Sequence, residues 1–237
     1  WKNRRCSRTP VRMNLFQKIL GTFQKPQAGP APESALNTIA LLIVDRNVTA
    51  DASPETRFGG LPSAGEGFAW PRCRSCGEPM QFQGQIRPPG ALHLHLIFMC
   101  TNHPGECDQF EADGGGNAVI TVPADGLQLA TPPAEGETLR DTRYGARLLT
   151  VVAQEYSDAF SAYAGRRREV LGQIGGAADW IQHDDTPACS ACKAPMQFVA
   201  QLEPGPDYQT EMNFAGGCGY LFECRCSGVS GKFLWQC

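Results

Sequence analysis

The chain has 237 residues, 42% apolar and 19% charged. It is too long for a disulfide-stapled miniprotein and too apolar for global disorder, so one packed domain or two small ones is expected. The net charge of −3 is uneven: Lys2, Arg4, Arg5, Arg8 and Arg12 make residues 1–12 +5, and the other 225 residues, with 16 basic and 24 acidic side chains, stand at −8, which argues against a polyanion partner and suits a basic one.

Residues 1–12 lack the apolar core of a secretory signal, and Met13 (MNLFQKIL) reads as a start, so the first twelve are set aside from fold reasoning. Leu15, Phe16, Ile19, Leu20 and Phe23 share one stripe, which predicts a short amphipathic helix over 14–23. A Pro/Gly/Ala-rich linker follows over 24–35. Residues 37–44 form a buried-type strand, and 80–86 and 92–99 form two more, joined by the hairpin connection RPPGA. A strand is expected over 117–122, a Pro/Gly-rich loop over 123–139 and a strand over 147–152. Tyr156, Phe160, Tyr163, Val170, Leu171 and Ile174 lie near helical spacing and predict a helix over 155–173, stopped by Gly175 and Gly176. The longest apolar runs, 38–44 and 92–100, are strand-sized and fall well short of the ~18 residues of a membrane-spanning helix.

An internal repeat organises the chain. Residues 59–85 align without gaps on 175–201, 116 positions later, with ten of 27 identical. The shared frame is GG-x10-P-x-C-x2-C-x2-PMQF-x2-Q. Each copy then runs through an apolar strand into a further cysteine, LIFMC at 96–100 and YLFEC at 220–224, and Phe110 and Phe233 are expected to open matching return strands. The expected fold is α+β and mainly β, with an N-terminal segment 1–36 and two pseudo-repeats, 37–145 and 146–237. Each is built on a β-hairpin with a zinc-ribbon-like four-cysteine site.

Eleven cysteines without a secretion signal are expected to be reduced, in a cytoplasmic protein. A CxxC turn aims two sulfurs at one point, and a second pair at the far end of a hairpin completes a tetrahedron around zinc. Copy one offers Cys73, Cys76, Cys100 and Cys107; copy two offers Cys189, Cys192, Cys224 and Cys226. The intervals of 23 and 31 residues between pairs exceed the ~15–20 of common zinc ribbons, which requires longer strands or an inserted loop. His103 rivals Cys107 as fourth ligand, and Cys218 and Cys237 rival Cys226. Such closed sites predict two structural zinc ions, with disulfides or redox use as alternatives.

His93 and His95 are two apart on a presumed strand and face one side, as the polar face of a half-buried strand or as a metal pair. His183, Asp184 and Asp185 read as a solvated turn, Arg166–Arg168 as a solvated helix face, Trp70 and Trp180 as core or groove aromatics, and Cys6 and Cys237 as incidental thiols. No GxSxG, HExxH or GxxxxGK[ST] pattern occurs. A zinc deaminase is excluded because Pro71 and Pro187 stand one residue too far from their cysteines. These absences favour a protein-binding module. A nucleic-acid-binding zinc ribbon, or an enzyme using His93, His95 or Asp184 between the repeats, are the alternatives.

The segment Gly59-Gly60-Leu61-Pro62, Trp70-Pro71, Cys73, Cys76, Pro79 and Gln85 resembles the YwqG-like bacterial family and, more distantly, the programmed cell death protein two family. Gly175-Gly176, 179–182 (DWIQ) and the Cys189/Cys192 pair are similar to the family's second half, with Ala178 where copy one has Pro62. The likeness spans 37–237. It implies a mostly β fold of two pseudo-repeats and, from the eukaryotic members, a chaperone that shields a basic ribosomal protein. Some bacterial members lack the cysteines, which implies that zinc supports the fold without carrying the function.

Overall fold

The apolar, β-branched run NTIALLIVD becomes β1 (Asn37–Asp45), and most later strands are built from similar Val, Ile, Leu and Phe runs. They are β2 (Arg57–Gly59), β3 (Ser63–Ala64), β4 (Gln81–Ile86), β5 (His93–Met99), β6 (Asn117–Pro123), β7 (Gln128–Leu129), β8 (Arg143–Ala153), β9 (Val170–Ile174), β10 (Gln197–Leu202), β11 (Cys218–Cys224) and β12 (Ser230–Gln236), with one α-helix, α1 (Tyr156–Ala162), among the described residues. This computed structural model describes residues 37–48 and 51–237, so the helix expected over 14–23 and the linker over 24–35 lie outside the described residues. The fold is mainly β.

Ten strands form one sheet in the order β12-β11-β10-β9-β1-β8-β2-β4-β5-β6, and β3 pairs with β7. The antiparallel pair β1–β8 sits at the centre. Outward from it, the two arms run in the same sense, β2-β4-β5-β6 and β9-β10-β11-β12. The hairpin registers also agree: Phe82 faces Phe98 and Gln85 faces Leu96, while Phe198 faces Phe222 and Gln201 faces Tyr220. Each hairpin carries a bulge at the same place, between Phe82 and Gly84 and between Phe198 and Ala200. The arms curl until β6 and β12 lie against each other, which makes the sheet a near-barrel.

Both faces of the arms are covered. Inside, Ile97, Met99, Leu221, Phe233, Val199 and Leu202 share one core with Leu42 and Tyr144. Outside, each arm packs the loop that carries its CxxC pair: Phe82, Leu96 and Phe98 under Trp70 in the first arm, and Tyr220, Phe222 and Leu234 under Trp180 in the second. Burial on both faces is why LIFM in β5 and YLF in β11 are unbroken apolar runs.

The helix expected over 155–173 is a correction. Its first part forms α1, a 3-10 turn follows at Arg167–Glu169, and 170–174 is β9, paired with both β1 and β10. Val170, Leu171 and Ile174 are all buried there, because two strands flank them and a helix would leave both edges unpaired. Gly172, at φ +131°, lets the backbone of β10 come close: a Cβ would sit 1.9 Å from the carbonyl oxygen of Gln201. Gly175 and Gly176 end this strand, not a helix, with a positive φ like that of Gly59, the last residue of β2, and Gly60. Phe233 lies inside β12, but Phe110 is in a loop, its ring edge-on to Trp235, and β6 starts only at Asn117. The loop over 123–139 contains the short β7.

Candidate metal centres

Each CxxC pair lies on a tight turn built from backbone alone. The N–H of Cys73 donates to the carbonyl of Glu78 (2.8 Å) and that of Gly77 to Cys73 (2.9 Å); Cys189 to Ala194 (2.8 Å) and Lys193 to Cys189 (2.9 Å) repeat the pattern. Isolated bridges Arg72–Pro79 and Ala188–Pro195 close the turns. The residue after each pair is left-handed, Gly77 at φ +77° and Lys193 at φ +63°, and this curls both sulfurs to one side.

The other thiols come from the hairpins. Cys100 directly follows β5 and Cys224 ends β11. The bulged register of each hairpin sets which end of the strand meets the turn. Cys107 arrives on the loop after β5, and Cys226 two residues after β11. The Sγ atoms of Cys73, Cys76, Cys100 and Cys107 lie within 4.8 Å of one another, and so do those of Cys189, Cys192, Cys224 and Cys226. His103, Cys218 and Cys237 belong to neither group. Cys218 is instead buried in β11, with its Sγ 3.5 Å from Glu203 Oε1.

The spacing fits a metal. The pairs Cys76–Cys100, Cys189–Cys226 and Cys192–Cys224 stand 3.7 Å apart. A disulfide needs ~2.05 Å, whereas four sulfurs at ~2.3 Å from a tetrahedral ion are ~3.8 Å apart. The charges point the same way. The N–H groups of Cys192 and Ala191 hold the Cys189 thiol down to about 6. Cys224 has the N–H of Cys226 favouring its thiolate, yet the sulfurs of Cys226 and Cys189 push it up to about 12. Burial, then the sulfurs of Cys100 and Cys73, push Cys107 up further. Four sulfurs this close resist joint ionisation unless a cation compensates them. Both groups could therefore hold a metal ion.

The two arms differ in exposure. In the first, Cys73, Cys100 and Cys107 are buried in one cluster with Phe68, Trp70 and Phe98, Trp70 meeting both phenyl rings edge-on; in the second, Cys192 and Cys226 are exposed. Trp180 stacks on Tyr220 at 4.5 Å, beside the second group. Buried glutamines tie the arms down in parallel: Gln85 Oε1 accepts from the N–H of Ser63 (3.1 Å) and Gln201 Oε1 from that of Asp179 (2.9 Å).

His93 and His95 do not lie on the polar face of a half-buried strand. They line the interior of the near-barrel, His95 fully buried, and both reach Glu223 of β11. Sequence reading missed Glu223. The signal was there: an acid inside the apolar run YLFEC. His183 pairs with Asp185 at 2.8 Å on an exposed turn, and Asp184 accepts from Thr186, apart from any thiol. Arg166–Arg168 are exposed, with Arg168 bound to Glu211. Among the described residues, no helix is long and apolar enough to cross a membrane. No protein-family model matches the chain, and no curated protein does.

Proposed function

We propose that the chain is a zinc-stabilised protein-binding module, with one structural zinc per four-cysteine group, that shields a basic client. The observation that carries this reading is the closed four-thiolate geometry of each arm, 3.7 Å between sulfurs. A site with four protein ligands has no open position for water, so its ion holds the loop to the hairpin and activates nothing. The two arms are copies of one hairpin unit. Their matched registers, bulges, turns and Gln85/Gln201 contacts support that duplication, and with it the resemblance to the YwqG-like and programmed cell death protein two families.

The basic client follows from charge. The sequence after residue 12 stands at −8. An open groove of about 500 Å³ between the two outer loops is lined by Phe110, Glu111, Asp113, Asp185 and Trp235. Phe110, Trp235 and Glu111 suit a Lys- or Arg-bearing segment, which would compete for Asp113 with Lys232 (2.7 Å) and for Asp185 with His183 (2.8 Å).

The test is affinity purification of the tagged protein with metal analysis and mass spectrometry. Two zinc per chain and one basic protein at near-equal stoichiometry, lost on Glu111→Lys with Asp113→Lys, support the reading. Absence of zinc sinks the metal assignment. A zinc-loaded protein that brings down nucleic acid, or no basic protein, sinks the client.

A further inference from the structure

Inside the near-barrel, three chemistry-bearing side chains from opposite arms meet. Glu223 Oε2 lies 2.9 Å from His93 Nε2 and 3.0 Å from His95 Nε2. The side chains are 12%, 0% and 5% exposed for His93, His95 and Glu223. All three donor atoms fall within 4.8 Å of one another.

We propose that His93, His95 and Glu223 form a third metal site, for one divalent first-row transition-metal ion bound by two imidazole nitrogens and a carboxylate oxygen. Bonds of ~2.1 Å meeting at right angles place neighbouring donors ~3.0 Å apart, which matches both nitrogen–oxygen separations.

The surroundings orient two of the three ligands. Thr121 Oγ1 stands 2.9 Å from His95 Nδ1, so that nitrogen can donate its proton outward while Nε2 keeps its lone pair for the ion. Arg225 donates from Nε (2.7 Å) and Nη2 (2.6 Å) to Glu223 Oε1, which leaves Oε2 for the histidines' side. Gly231, opposite Glu223 on β12, clears the space: a Cβ there would lie 2.4 Å from Val119 Cγ1 and 3.1 Å from His95 Nδ1.

The duplicated frame does not supply this site. In the matched hairpin registers, Gly219 takes the place of His95 and Met99 that of Glu223. The group exists once, and it joins β5 to β11, strands that share no backbone pairing. An ion here would clamp the two arms across the seam where β6 meets β12. The proposal does not depend on the thiolate groups being filled.

The experiment grows the full chain in cobalt(II)-supplemented medium and counts cobalt per chain. Thiolate-bound cobalt gives intense sulfur-to-metal charge-transfer absorption; cobalt on nitrogen and oxygen gives only weak d–d bands, so the two kinds are counted separately. The wild type is expected to hold one cobalt more than its thiolate absorption accounts for. His93→Ala and Glu223→Gln are each expected to lose that one equivalent with the thiolate absorption unchanged. A wild type with no cobalt beyond the thiolate-bound amount overturns the proposal and leaves a hydrogen-bonded His–Glu–His tie. A variant that loses thiolate absorption has misfolded, and the wild-type count then decides alone. Empty thiolate sites with the weak bands present would sink the zinc reading above and keep this one.

Discussion

Glu203, at the end of the β10 region, shows how burial sets the behaviour of one carboxyl. Burial raises its pKa, against the hydroxyl of Tyr156 (2.8 Å) and the thiol of Cys218 (3.5 Å), which both donate to Oε1. As pH rises past the ordinary carboxylate value, the unfolded chain releases this proton first and the folded chain still holds it. Stability therefore falls with rising pH from about 4.5 up to the raised folded value. Glu203→Gln removes this dependence. Melting curves of both proteins at pH 5 and pH 8 should show the difference moving in the variant's favour as pH rises; a constant difference would refute the assignment. At this scale the sequence was more informative about thiols than about acids. Spacing nominated the Cys73/Cys76 and Cys189/Cys192 pairs, because a CxxC turn is local, and left His103, Cys218 and Cys237 as rivals for the fourth ligands. It gave no reason to single out Glu203, whose partners come from α1 and β11; for Glu223 the one signal was an acid inside the apolar run YLFEC, and its histidine partners sit on β5.

β9 is the element where local pattern and tertiary pairing disagree. Aromatic and aliphatic residues near helical spacing across 155–173 predict one helix, yet 170–174 lies between β1 and β10. Sheet pairing wins because it satisfies backbone groups on both sides of five buried residues. Gly172 marks the closest approach. Gly172→Ala would force a Cβ against the Gln201 carbonyl at a φ of +131°. We expect a cost of at least about 3 kcal/mol, a fall in melting temperature of roughly 6–12 °C, read by thermal unfolding. An unchanged melting temperature would mean that β9 does not pair with β10 as described. The hairpin strands were legible for the opposite reason: β5 and β6 carry their own apolar runs, β4 opens within the PMQF frame, and RPPGA is turn chemistry on its own. The two histidines of β5 were assigned to a polar face because alternation in LHLHL looks half-buried. The structure buries both faces, one under the Trp70 loop and one inside the near-barrel.

At the scale of the whole molecule, the central β1–β8 pair carries one arm on each side, and each arm has its own thiolate group. If each group holds a metal ion, as proposed, removing it from the reduced protein with a thiol-competent chelator should unfold the hairpin loops of both arms. The second arm should yield first, since Cys192 and Cys226 are exposed and the first group is mostly buried. Metal release followed with a colorimetric indicator should show two phases; loss in a single phase would argue against separate sites. By itself the sequence determined the mainly β character and the two CxxC pairs, because each is written in contiguous or closely spaced residues. Only the tertiary structure decided that the ten strands curl until their edges meet, that β9 is a strand, and that His93 and His95 face Glu223 across the seam. Those outcomes depend on contacts between residues up to 134 positions apart, as in the pairing of Ala40 with Ile174, and no local period encodes which distant strand will cover a given face.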